Sequence, residues 1–99
     1  MTRIGLGFGV IEDLERIAAY LREHESEHAE ERAEEIVSAL DVLRSNPLIG
    51  RPVHGEQREL VMGRGSHGYV ALYRDVDVTD TVVVMALRAQ REAGYTRDT

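Results

Sequence analysis

Near residue 50 the apolar residues change their spacing, and this restricts the chain to a fold with helices laid on one side of a sheet. From Val10 onward, Val10, Leu14, Ile17, Ala18 and Leu21 recur mostly three and four apart, which is one face of a helix. A second stripe, Ala29, Ala33, Ile36, Val37, Leu40 and Leu43, ends before "SNPLIG", where Asn46, Pro47 and Gly50 stop a helix. The two stripes meet near Glu23 to Ser26 and predict a helical hairpin.

The second half reads differently. Arg58 to Met62, Tyr69 to Arg74 and Thr81 to Leu87 are short segments rich in valine, leucine and tyrosine. The links between them, "GRGSHG" and "DVDVTD", are glycine- or aspartate-rich, so the three predict an antiparallel meander. Arg3 to Phe8, bounded by glycines, suits a first strand. The expected fold is α+β, with an N-terminal strand, a two-helix hairpin and a three-stranded antiparallel meander. Leu14, Ile17, Leu21, Ile36, Val37 and Leu40 should pack on the sheet face that carries half of Val82 to Leu87. The opposite face should stay partly open.

Size and charge narrow the function classes. A chain of 99 residues suffices for one core, so residues 1–99 are expected to form a single domain. With 42% hydrophobic and 30% charged residues, the composition is that of an ordinary globular protein. The longest strictly apolar run is Val82 to Leu87, far short of the roughly 20 residues that span a bilayer. Glu12 and Asp13 interrupt the short N-terminal apolar patch where a signal peptide would need a cleavage site, so a cytoplasmic location and no membrane partner are expected. There is no cysteine for a disulfide or thiolate site.

The net charge of −6 is unevenly placed. Residues 1–50 carry five arginines against eleven acids, and residues 51–99 carry seven against seven. All cations are arginine. No lysine is available as an acid or base, whereas arginine can hold anions but does not move protons at neutral pH. So acidic a first half is a poor nucleic-acid surface, and any phosphate contact must come from the second.

Three patterns imitate known sites. "HESEH" at His24 to His28 matches H-E-x-x-H, but zinc chemistry needs an unbroken helix through both histidines and a third ligand. The match lies where the two helical stripes meet, with Ser26 and Glu27 placed as N-cap and acidic first turn of the second helix, so no metal is expected. "GRGSHG" fits G-x-G-x-x-G but runs into the strand "YVALY" instead of opening a helix, and its glycines serve a hairpin loop. "GLGFG" at Gly5 to Gly9 lacks a phosphate-loop lysine. No cofactor is implied. His67, in the hairpin loop, is a candidate imidazole base.

The ordered set "IEDLERIAAYL" (Ile11 to Leu21), "NPLIGRPV" (Asn46 to Val53), "REL" (Arg58 to Leu60), "GYVALYRD" (Gly68 to Asp75) and "ALRAQREAGY" (Ala86 to Tyr95) resembles the RelE/ParE superfamily of bacterial toxins. These are the toxin halves of type II toxin-antitoxin pairs, often called plasmid stabilisation proteins. The L-x-x-x-P-x-I-G-R-P spacing from Leu43 to Pro52, leading into "REL", looks most like the ParE branch. The resemblance implies a cognate antitoxin partner and an interface on the open sheet face built from Arg58, Arg74, Arg88, Gln90, Arg91 and Tyr95. ParE members inhibit DNA gyrase by binding, and relatives of the same fold cleave mRNA on the ribosome. The absence of lysine, and Ala89 where many relatives carry histidine, point to gyrase. His67 and Tyr95 are the catalytic candidates of the ribonuclease alternative, with Glu59 in reach of acid-base chemistry and Tyr95 expected to have a lowered pKa beside arginines. A non-toxic antitoxin-binding module is the third alternative.

Overall fold

The change of period at residue 50 becomes a change of layer. The computed structural model describes residues 2–24, 27–63, 68–92 and 94–95. Strand β1 (Arg3–Leu6) leads into helices α1 (Phe8–His24) and α2 (Ala29–Leu40), and a 3-10 turn at Asp41–Arg44 closes the hairpin. Strands β2 (Arg51–Pro52), β3 (Gln57–Met62), β4 (Tyr69–Val76) and β5 (Thr81–Ala89) follow, with a second 3-10 turn at Asp77–Thr79. The sheet order is β1-β5-β4-β3-β2. β1 runs parallel to β5 and every other pairing is antiparallel.

The α+β order is as the sequence reads, with three differences. The sheet has a fifth strand, β2, in which Arg51 lies opposite Glu59 and Pro52 opposite Arg58. Two residues, one of them proline, carry no strand signal, yet proline is tolerated there because β2 is an edge. The first strand stops at Leu6, and Phe8 already begins α1. The N-cap position of α2 is His28 and its first-turn acids are Glu30 and Glu31, whereas Ser26 lies outside the described residues.

Ile17, Leu21, Ile36 and Leu40 are buried against the sheet, and Leu14 packs at their margin. Val37 does not join them: it is 51% exposed. Adjacent positions on a helix point about 100° apart, so Ile36 and Val37 cannot both face the sheet. On β5 the buried set changes phase, because the register shifts between the Tyr73–Val84 and Leu72–Ala86 pairs. Val82 and Val84 face the helices before this bulge, and Leu87 and Ala89 face them after it.

β5 also outruns its neighbour. Gly7 N–H donates to the Val84 carbonyl (2.9 Å), and beyond that point β1 offers nothing further to pair with. Side chains of α1 take over: the Leu87 N–H donates to Asp13 Oδ2 (2.9 Å), and Arg16 Nη2 donates to the Leu87 carbonyl (3.3 Å). Asp13 is only 2% exposed, a buried carboxylate among the apolar residues of the helix stripe.

Gly50 has a steric requirement. Its N–H donates to the buried Tyr73 hydroxyl (2.8 Å), and a Cβ there would come within 2.6 Å of the Tyr73 ring and 2.8 Å of the Glu59 carbonyl. Arg58 fixes the same loop by donating to the carbonyls of Leu48 and Gly50. Leu40→Ala is expected to lower stability by about 2–5 kcal/mol, and Val37→Ala to change it by no more than about 0.5 kcal/mol. Chemical denaturation of the two variants checks this, and equal losses would mean that α2 presents a different face to the sheet.

Candidate functional site

Strand alternation places two cross-strand rows on the sheet face away from the helices. One row is Glu59, Leu72 and Ala86, and the next is Val61, Val70 and Arg88. Val70, Leu72 and Ala86 are buried although neither α1 nor α2 covers that face. Glu59, whose side chain is 10% exposed, is the focus of the charged groups around them. Arg51, opposite it on β2, donates from Nε (3.2 Å) and Nη2 (2.9 Å) to Oε1. The Tyr95 hydroxyl donates to Oε2 (2.6 Å). The Arg88 guanidinium lies 5.2 Å from the centre of the Tyr95 ring, with Nη2 3.9 Å from Glu59 Oε2.

This grouping fixes the proton positions. Burial pushes the Glu59 carboxyl up, but the Tyr95 hydrogen bond, Arg51 and Arg88 outweigh it and hold the pKa below the usual 4.5. Tyr95 moves the opposite way. Burial raises its phenol first, the bond to Glu59 and the charge on Glu59 raise it further, and Arg88 opposes them without reversing the shift. The lowering that arginine neighbours can bring to a tyrosine does not occur here, because burial, and after it the carboxylate at the hydroxyl, outweigh Arg88.

A turn after β5 connects this face to α1. The Glu92 carboxylate accepts from Arg16 Nη1 at both oxygens (2.8 and 2.9 Å) and from the Ala89 N–H (3.0 Å). The Glu92 backbone carbonyl accepts from Arg88 Nη1 (3.3 Å). One turn is thus gripped by α1 from the helix side and by Arg88 from the open side.

A family model described as the ParE toxin of the type II toxin-antitoxin system parDE matches residues 9–94. The chain belongs to the ParE toxin family. Its fold is similar to the chromosomal ParDE toxin-antitoxin system from P. aeruginosa, with a TM-score of 0.76 and 19% identity over 90% of this chain and 96% of that one. It is also similar to the intact E. coli RelBE toxin-antitoxin complex, with a TM-score of 0.64 and 14% identity over 93% and 100%. No curated protein sequence matches it.

Within this ParE chain the expected interface residues divide among four places. Arg88 and Tyr95 meet at Glu59, and Arg74 shares their face, paired with Glu56 (3.4 Å). Arg91 stacks on the Tyr20 ring (4.4 Å), at α1, and Tyr20 in turn stacks on His24 (4.2 Å). Arg58 is engaged by the 46–50 loop. Gln90 closes the hairpin end, with its N–H on the Gly68 carbonyl. His67 lies outside the described residues. Ala89 is buried on the helix side, so a histidine there would not face Glu59.

Arg51, Glu59 as the centre of the cluster, Asp13, Arg16 and Glu92 were not singled out from the sequence as site residues. Asp13 carried a usable signal, since it falls on the buried stripe of α1 with Val10, Ile17 and Leu21. The H-E-x-x-H helix does not form: His24 ends α1, Glu27 and His28 are in a turn, and His24 Nδ1 lies 3.0 Å from the Tyr20 carbonyl.

The lowered Glu59 pKa means that its contribution to stability is present above the unfolded value near 4.5 and is lost as pH falls through the folded value. Glu59→Gln should therefore flatten the acid limb of a stability-versus-pH curve. Removing the Glu59 charge should also let the Tyr95 phenol ionise at lower pH, read by alkaline absorbance titration with Tyr95→Phe as the assignment control. An unchanged titration would show that the two side chains are not paired in solution.

Proposed function

We propose that this ParE-family chain is a toxin neutralised by a cognate antitoxin and that it acts in the cytoplasm by binding DNA gyrase, without covalent chemistry of its own. The carrying observation is the state of the Glu59 cluster. Cutting RNA requires a base for the 2′-hydroxyl proton and an acid for the leaving oxygen, both working near neutral pH. Glu59 is shifted down with both oxygens engaged, and Tyr95 is shifted up with its proton donated to Glu59. These shifts move both groups away from neutrality.

The ribosome-dependent mRNA endoribonuclease remains the second reading, because a phenol, a carboxylate and a buried guanidinium do converge on one sheet face. A non-toxic antitoxin-binding module is the third. An antitoxin segment would find apolar anchorage beside the hairpin, where Leu6 and Val37 are exposed next to Leu14 and Leu40. Its acidic groups would then meet the arginines of the open face.

Purified protein is expected to inhibit gyrase supercoiling and to leave mRNA on programmed ribosomes uncut, while induced expression is toxic and rescued by the antitoxin. Codon-specific cleavage that disappears in Tyr95→Phe or Glu59→Gln would promote the ribonuclease. Antitoxin binding without either activity would leave the inert module. Arg74→Glu, which disturbs only an exposed pair with Glu56, should weaken antitoxin binding and reduce its salt sensitivity. Unchanged affinity would move the interface away from β4.

A further inference from the structure

Arg88 has more hydrogen-bonding capacity than the chain uses. Its Nη1 donates to the carbonyls of Ala89 (3.2 Å), Gln90 (3.5 Å) and Glu92 (3.3 Å), which fixes the plane of the guanidinium. Nε and Nη2 share another edge of that plane. Nε is buried and has no acceptor among the described residues, and Nη2 reaches Glu59 only at 3.9 Å, beyond hydrogen-bond range. A buried Nε–H without an acceptor needs an explanation, and the edge it shares with Nη2 matches a carboxylate through two parallel N–H···O bonds.

We propose that the Nε–Nη2 edge of Arg88 is a carboxylate-binding site on the open face of the sheet, roofed by the Tyr95 ring, that receives one acidic side chain of the antitoxin. This rests on the toxin-antitoxin reading above. A single carboxylate fits better than a nucleic-acid backbone. A phosphate chain needs several cations along its path, whereas Arg51 and Arg74 are already paired with Glu59 and Glu56. The apolar floor of Val70, Leu72 and Ala86 suits a protein segment and strengthens a buried ion pair. The Tyr95 ring lies 5.2 Å from the guanidinium carbon and its bond to Glu59 holds it there, so a ligand that displaces the ring works against that bond.

The test follows the Arg88 Nε–H resonance in arginine-labelled protein titrated with sodium acetate and, separately, with inorganic phosphate at matched ionic strength. Acetate should shift Arg88 and leave the exposed Arg3 unmoved. Tyr95→Ala should tighten acetate binding by about tenfold, the size of one hydrogen bond. Tyr95→Phe, which keeps the ring and removes the same bond to Glu59, should tighten it by about the same factor and serves if the alanine variant misfolds. Arg88→Lys has no Nε edge and should abolish the specific response of the site, seen at the backbone amides of Val70 and Ala89. Equal shifts at Arg3 and Arg88, or none at Arg88 in any roof variant, would overturn the site. Stronger binding of phosphate than of acetate would overturn its assignment to a carboxylate. The proposed function stands or falls separately: toxicity rescued by the antitoxin, with no acetate response at Arg88, removes this site alone.

Discussion

The structure depends on a mismatch in length: β5 has nine residues and its parallel neighbour β1 has four. Past Val84 the backbone of β5 would otherwise run buried beneath α1 without partners, and a buried N–H left unpaired costs about 1–3 kcal/mol. Asp13 and Arg16 replace the missing strand with side chains. A helix carboxylate that must meet one particular N–H sets both the rotation of α1 and its height along the sheet. The same rotation carries Arg16 to Glu92, which shapes the turn that fixes Arg88 and delivers the chain to Tyr95. The open face is thereby organised from the far side of the sheet.

The other half of the cluster has a local origin. The stretch from Leu43 to Pro52 must leave α2, cross the end of the sheet and present Arg51 beside Glu59. Leu43 is fully buried, Gly50 lets the backbone pass against Tyr73, and Arg58 ties down the carbonyls of the passing loop. In that light the I-G-R-P spacing is the geometry that brings a guanidinium to a buried carboxylate. Glu59 then keeps two arginines and a phenol in place and offsets part of their charge, so the face is less basic than its arginine count suggests.

Much of the fold was legible because it rests on repetition. The stripes of Ile17 with Leu21 and Ile36 with Leu40, and the valines of β5, announce their burial through period alone. Val37 was misplaced because a stripe drawn too wide does not distinguish the flank of a helix from its centre. The two-residue β2 was invisible for a related reason: two residues show no alternation, and their partners Glu59 and Arg58 lie across the ladder. The site was legible only in part. Arg88 and Tyr95 come together at Glu59, whereas Arg91, Gln90 and Arg58 are drawn elsewhere by Tyr20, Gly68 and the 46–50 loop. Proximity in sequence near the end of a strand says nothing about which face each residue takes once a bulge intervenes.

That bulge divides β5 into two stretches with opposite sidedness. In the first, Val82 and Val84 belong to the core; in the second, Leu87 and Ala89 do, and Ala86 and Arg88 turn to the open face. A well-packed interior and the chemistry of the open face therefore depend on different residues of one continuous strand. Changes at position 88 can alter the charge and hydrogen bonding of the open face without repacking Val82 and Val84, so the chemistry of that face is free to drift while the scaffold stays fixed.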